Sequence, residues 1–341
     1  MNNNMPILKY KTPKPLKSGD TLGVCAPSGS FDPQKFSQGV KILQSMGFEV
    51  HIPIEIYERK RYMAGDDKSR ASVINTLFDN SSIKGIICAR GGFGALRTLD
   101  YINYHLIANH PKMFVGFSDA TALLTAISER AMIQVLHGPV VTTLADSCSE
   151  TLGMLYGQLT SYPSERALHL RHGKTLRKGV ASGRLAGGNL ATLCHLTGTK
   201  FQPDLNGTIL FLEDVGEPPY KIDRMLTQMK LAGLFQGVKG VIAGSFERCD
   251  HHSILKTGVG HRDEDNYRAT SGHDILRIHE AYRSLSAQDI IEEILLEIFD
   301  IPDQPVLSGL DAGHGKINLS LRLSATVELD SEKKCLLWTM K

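Results

Sequence analysis

The sequence lacks a charge excess. Its 38 Lys and Arg stand against 36 Asp and Glu, a net of +2 over 341 residues, and nothing in that balance supports a nucleic-acid partner. It lacks paired cysteines. The six, at positions 25, 88, 148, 194, 249 and 335, form no C-x-x-C, and thiols scattered this way read as reduced core residues of a cytoplasmic protein. It lacks an uninterrupted apolar run approaching about 18 residues, so no membrane span is expected. The start, MNNNMPILKYKTPKP, has no apolar stretch of the secretory kind. H-E-x-x-H, G-x-G-x-x-G and the phosphate-loop pattern G-x-x-x-x-G-K-[ST] are all missing, and no internal repeat is found. No metal and no organic cofactor are expected.

What is there is core-forming material. Hydrophobic residues make up 42% and charged ones 22%, which excludes an intrinsically disordered or low-complexity chain. The length suggests about two domains. In the first half, strand and helix signals alternate. TLGVCAP (21–27), FEVHIPI (48–54), IKGIICA (83–89), MFVGF (113–117) and MIQVLHGP (132–139) read as strands. Phe36, Val40, Leu43 and Met46 recur at helical spacing, as do SRASVINTLFD (69–79), ALRTLDYI after Gly94, and DATALLTAISER after the fourth strand. This pattern predicts an α/β fold with an N-terminal, mostly parallel sheet flanked by helices. The polar, basic stretch 166–180 reads as a linker between an N-terminal domain (1–165) and a smaller β-rich C-terminal domain (181–341). There, GTILFLEDV (207–215), VKGVIAGSF, VLSGL, INLSLRLSATVELD and KCLLWTM read as β structure, and YKIDRMLTQMKLAGL and DIIEEILLEIF as helices. The segment 248–287 stands apart as an insert, with five of the thirteen histidines (His251, His252, His261, His273 and His279) but no zinc-ligand spacing. It is expected to be a solvated loop or a lid.

In open α/β sheets, ligands gather beyond the carboxyl ends of the strands. CAPSG (25–29), RGGFG (90–94) and GFSDA (116–120) fall there. In GFSDA, Ser118 sits between an apolar strand and an apolar helix, with Gly116 two positions before and Ala120 two after. The pattern approximates the nucleophile elbow G-x-S-x-G; a plain helix-capping serine fits the same residues. RGGFG can be an oxyanion-side loop, a phosphate cradle or a turn needing positive φ. A serine nucleophile needs a base, and the base an orienting group. His314, between two glycines in DAGHGK, and His137, in LHGP, are the rival bases. FLEDVGE offers Glu213, Asp214 and Glu217 as carboxylates. Strand alternation puts Glu213 and Asp214 on opposite faces, and spacing does not choose between them.

Longer stretches carry a resemblance. GDTLGVCAPSG (19–29), RYMAGDDKSRASVINTLFDN and IKGIICARGGFGALRTLDYI (61–102), FVGFSDATALL (114–124), HGPV (137–140), GRLAGGNLATLCHLTGT (183–199), ILFLEDVGEPPYKIDRMLTQMKLAG (209–233) and PVLSGLDAGHGKINLSL (305–321) occur in family order and span nearly the whole chain. The sequence resembles the LD-carboxypeptidase family, serine peptidases of the muramoyltetrapeptide carboxypeptidase and microcin C immunity type. The resemblance implies a Ser118–His314–Glu213 triad and an oxyanion hole formed by the Gly92 and Asp119 N–H groups. It leaves His137 a neighbouring role. It implies a peptide-like small-molecule substrate, no membrane partner and a homodimer. A carboxypeptidase must also hold a free carboxylate, for which a guanidinium is suited; Arg90, Arg184 and Arg224 are the candidates. The insert is longer and richer in histidine than the resemblance leads one to expect.

Overall fold

Apolar runs too short for helices become strands of two sheets. The structure, a computed structural model, describes residues 10–162, 167–250 and 286–339; most of the histidine-rich insert lies outside them. The first sheet contains β1 (Thr21–Cys25), β2 (Glu49–His51), β3 (Ile83–Cys88), β4 (Met113–Gly116) and β5 (Val135–His137) in the order β2-β1-β3-β4-β5. All four of these pairings are parallel. Helices α1 (Pro33–Ser45), α2 (Asp67–Asp79), α3 (Tyr104–Asn109), α4 (Thr121–Ala131), α5 (Val141–Leu144) and α6 (Ser149–Thr160) come from the same half of the chain. The Asp32 and Asp66 side chains accept backbone N–H groups in the first turns of α1 and α2, which sets where those helices begin. ALRTLDYI, expected as a helix, forms a 3-10 turn over Ala95–Tyr101 after Gly94 at φ +128°.

The second sheet has eight strands: β6 (Ala167–His169), β7 (Lys174–Arg177), β8 (Val180–Asn189), β9 (Thr208–Val215), β10 (Gly240–Glu247), β11 (Val306–Ser308), β13 (Thr326–Asp330) and β14 (Cys335–Trp338), in the order β6-β14-β13-β8-β9-β10-β11-β7. Its middle, β8 to β11, is parallel; the flanking pairs are antiparallel. Helices α7 (Leu190–Leu196), α8 (Pro219–Leu231) and α9 (Ala287–Ile298) complete this half.

The structure treats two stretches differently from the sequence expectation. The stretch 166–180 supplies β6 and β7, the two edge strands of the second sheet, whose polar sequence suits a sheet edge. INLSLRLSATVELD is divided. Its β12 (Leu321–Leu323) adds antiparallel to β5 at the edge of the first sheet, and β13 returns to the second. The break is Ser324, at φ +64°.

Alternation along β9 separates two cores. Ile209 and Phe211 join the apolar cluster that also holds the first sheet, whereas Leu210 and Leu212 pack with Ile222, Leu226, Ile291 and Leu295 of α8 and α9. The next residues continue the alternation, so Glu213 emerges on the side of the first sheet and Asp214 on the side of α7.

Candidate active site

Ser118 stands where β4 gives way to a 3-10 turn (Ser118–Ala120) that runs into α4. Its φ is +61°, a conformation that costs a non-glycine residue about 1–3 kcal/mol and persists only where the surroundings impose it. Here they do. A methyl group on Gly91 would lie 2.8 Å from Ser118 Cβ, and one on Gly116 would lie 2.8 Å from Ala120 Cβ. Both glycines thus permit a close approach that any other residue would block. As the second residue of a helical turn, Asp119 has an N–H without an intrahelical acceptor, and no acceptor among the described residues takes the Gly92 N–H. The Asp119 side chain is buried and accepts the Ala95 N–H at 2.8 Å. Burial raises its pKa, against the hydrogen bond from the Ala95 N–H.

His314 and Glu213 meet. His314 Nδ1 lies 2.7 Å from Glu213 Oε2. Because a carboxylate only accepts, the ring proton sits on Nδ1 and Nε2 is left for another partner. Glu213 is fully buried. The histidine loop is pinned on both sides: Gly313 N–H donates to Asn318 Oδ1 at 3.0 Å, and Gly315 N–H to Ser245 Oγ at 3.0 Å. Gly313 has φ +112°, and a methyl there would fall 2.6 Å from Glu213 Oε2, so only glycine lets the loop come this close. The Phe117 ring, one residue before Ser118, lies 4.8 Å from the His314 ring. Phe117 and His314 line one cleft of about 530 Å³ together with Asp32, Lys35, Arg90 and Lys316.

The rival residues fall elsewhere. His137 is fully buried beneath the site, 5.0 Å from the Phe211 ring and 6.0 Å from the Phe117 ring, and neither ring nitrogen has a hydrogen-bond partner. Burial lowers its pKa to about 4, which keeps it neutral. Asp214 accepts from Asn189 Nδ2, Ala191 N–H and Val215 N–H at 3.0, 2.9 and 2.7 Å; burial outweighs these bonds and raises its pKa to about 6. Of the three arginines, Arg90 lines the cleft and donates to the Ser30 carbonyl at 2.6 Å. Arg184 is engaged away from it, paired with Glu129 at 3.0 Å and stacked over Tyr10. Arg224 is exposed on α8, over Tyr220. Sequence reasoning missed Asn189 and Asn318. Asn189 had a signal, because an asparagine between a strand and a helix is a preferred cap. It caps α7 through Thr192 N–H and takes Thr121 Oγ1 with its own N–H at 3.2 Å.

Among the described residues, no group of three or more His, Cys, Asp or Glu is arranged to hold a metal, and no helix is long and apolar enough to cross a membrane.

The chain matches the family profile of the LD-carboxypeptidase N-terminal domain over residues 22–138 and that of the C-terminal domain over residues 182–329. A Bacillus subtilis protein named "probable murein peptide carboxypeptidase" is 31% identical over 96% of this chain and 93% of its own length. The structure of the microcin C7 self-immunity protein MccF, in the apo state of an inactive mutant, superposes with a TM-score of 0.79 at 25% identity, covering 96% of this chain and 98% of that one. Muramoyltetrapeptide carboxypeptidase from Oxalobacter formigenes superposes with a TM-score of 0.74 at 25% identity, over 93% and 97%. The chain belongs to the LD-carboxypeptidase family and is a hydrolase, a serine-type carboxypeptidase.

Proposed function

We propose that this enzyme hydrolyses the L,D-peptide bond to the terminal D-alanine of murein tetrapeptides through an acyl-enzyme on Ser118. His314 Nε2 takes the Ser118 proton as Oγ attacks the carbonyl. Glu213 holds the tautomer and stabilises the imidazolium. The Gly92 and Asp119 N–H groups receive the oxyanion, each contributing about 3 kcal/mol to the lowering of the barrier. His314 then protonates the departing D-alanine amine, and water releases the peptide. Arg90 is the guanidinium suited to the free carboxylate, since it lines the cleft with His314. The observation that carries the reading is the 2.7 Å His314–Glu213 contact, with the His314 ring 4.8 Å from that of Phe117, the residue before a serine held at φ +61°. A cytoplasmic homodimer acting in peptidoglycan recycling belongs to the same reading and rests on the family resemblance.

The test is Ser118→Ala. The folded variant should turn over an L,D-tetrapeptide about 10⁴–10⁶-fold more slowly than the native chain; unchanged turnover would remove the nucleophile. The likeness to the microcin self-immunity protein supports a second reading, in which the same machinery cleaves a peptidyl or aminoacyl nucleotide. Turnover of the tetrapeptide and of an aminoacyl-sulfamoyl adenylate, measured side by side, separates the two. Stoichiometric labelling of Ser118 by a serine-directed phosphonate is expected in both; complete resistance would instead favour a ligand-binding module without catalysis.

A further inference from the structure

A buried cation sits behind the loops at the site, with no part in the chemistry above. Arg70, on α2, is 3% exposed. Its Nη1 donates to the Pro27 carbonyl, in the loop after β1, and at 2.9 Å to the Gly94 carbonyl, in the loop after β3. Its Nη2 is held by Asp67 Oδ1 at 2.6 Å, and Asp67 is fixed in turn by Arg97. One planar guanidinium therefore clamps two glycine-bearing loops, the second of which approaches Ser118 at Gly91. Between them runs a third tie: Gly29 N–H donates to the Gly91 carbonyl at 3.1 Å. The Gly91–Gly92 peptide is trans, so its carbonyl and its N–H point in opposite directions. Holding the Gly91 carbonyl toward Gly29 turns the Gly92 N–H away from Gly29. The far end of the loop is fixed by Arg70 at Gly94 and by Asp119 at Ala95.

The geometry points to Arg70 as a positioning residue for the oxyanion hole: by clamping the Pro27 and Gly94 carbonyls it fixes the register of the two loops and thereby the direction of the Gly92 N–H. This rests on the serine mechanism proposed above. A lysine at position 70 keeps the charge but loses the planar fork, so the two loops are no longer held at one distance. A displacement of about 1 Å at a catalytic donor costs on the order of 100-fold in rate.

The experiment measures kcat and KM on an L,D-tetrapeptide for Arg70→Lys, Gly29→Ala and Arg97→Gln, each normalised to active sites by end-point titration with a serine-directed phosphonate. Gly29→Ala places a methyl 3.3 Å from the Gly91 carbonyl oxygen and so disturbs the same peptide without touching Arg70. Arg70→Lys should lower kcat per active site about 100-fold, and Gly29→Ala, whose methyl asks the Gly91 carbonyl to give by only a few tenths of an ångström, should lower it severalfold; in both, KM should stay within threefold and the phosphonylation rate should fall in step with kcat. Arg97→Gln, which loosens Asp67 but leaves both carbonyl contacts of Arg70 in place, should lower kcat per site by less than threefold. A purely structural role would lower the fraction of active sites and leave kcat per site intact, and that outcome overturns the proposal. If Arg70→Lys does not fold, Gly29→Ala decides: native kcat in that variant overturns the proposal. Should Ser118→Ala retain turnover, the serine mechanism falls and the positioning role with it. Should Ser118→Ala be inactive while both loop variants work at the native rate, the positioning role alone falls.

Discussion

His137 and His314 show how little a residue's type says about its work. His137 ends one short strand and His314 follows another, and both lie near Phe117. One is paired with a carboxylate; the other is sealed in apolar surroundings without a partner. The difference is testable through stability. The folded-state pKa of His137, about 4, lies below the ordinary 6.5. Its contribution to stability is therefore complete above pH 6.5 and is lost as the pH falls through 4, because the unfolded chain takes up the proton first. The loss is on the order of 3 kcal/mol. Urea unfolding at pH 7 and at pH 4.5 should reveal it, and His137→Leu should flatten that part of the pH profile. An unchanged slope in the variant would mean that the imidazole is not the titrating group. Arg70 carries the complementary lesson. On a helix read from its apolar spacing, an arginine is expected to face solvent, and only the loops folding over it show that it does not.

At the scale of elements, the Ser118 turn is built from one sheet and braced by the other. Gly188, at the end of β8 with φ +139°, lies so close to the first turn of α4 that an added methyl would be 2.8 Å from Thr121 Cγ2 and Oγ1. Asn189 N–H meets Thr121 Oγ1, and Asp214 holds Asn189. Gly188→Ala should therefore lose about 1–3 kcal/mol of stability by overpacking. It should also lower kcat, since α4 begins immediately after the Ser118 turn. Urea midpoints and turnover measured together test this; a variant with native stability would show that the two elements have room to spare. Strands and helices with strong periodicity were legible in the sequence, β3 and α4 most plainly. The linker was not. Its polar residues match a sheet edge as well as a loop, and pairing partners far along the chain make β6 and β7 strands.

For the whole molecule, the two sheets share a core rather than meeting as separate bodies. Phe211, Val327 and Trp338 of the second sheet belong to the same buried cluster as Val24, Ile87 and Val115 of the first. β12 crosses from the C-terminal half to close the edge of the first sheet beside β5. The halves should therefore unfold together. Trp338 is the single tryptophan of the chain, a probe of the second sheet. Its fluorescence and the far-ultraviolet circular dichroism should follow one coincident urea transition. Two separated transitions would mean that the halves are independent.

The alternating strands and helices of the first half, the strand-to-helix setting of Ser118 and the opposed faces of Glu213 and Asp214 follow from the sequence alone, because they depend on side-chain period and on neighbours a few residues away. Resemblance along the chain was enough to name the family and the residues worth examining. Which histidine meets which carboxylate, which arginine reaches the cleft and which is locked behind it were decided only in three dimensions. Those pairings join residues as far apart as Glu213 and His314, and they exist because parallel strands of two sheets end on a common side, where close-packed glycines let the loops touch.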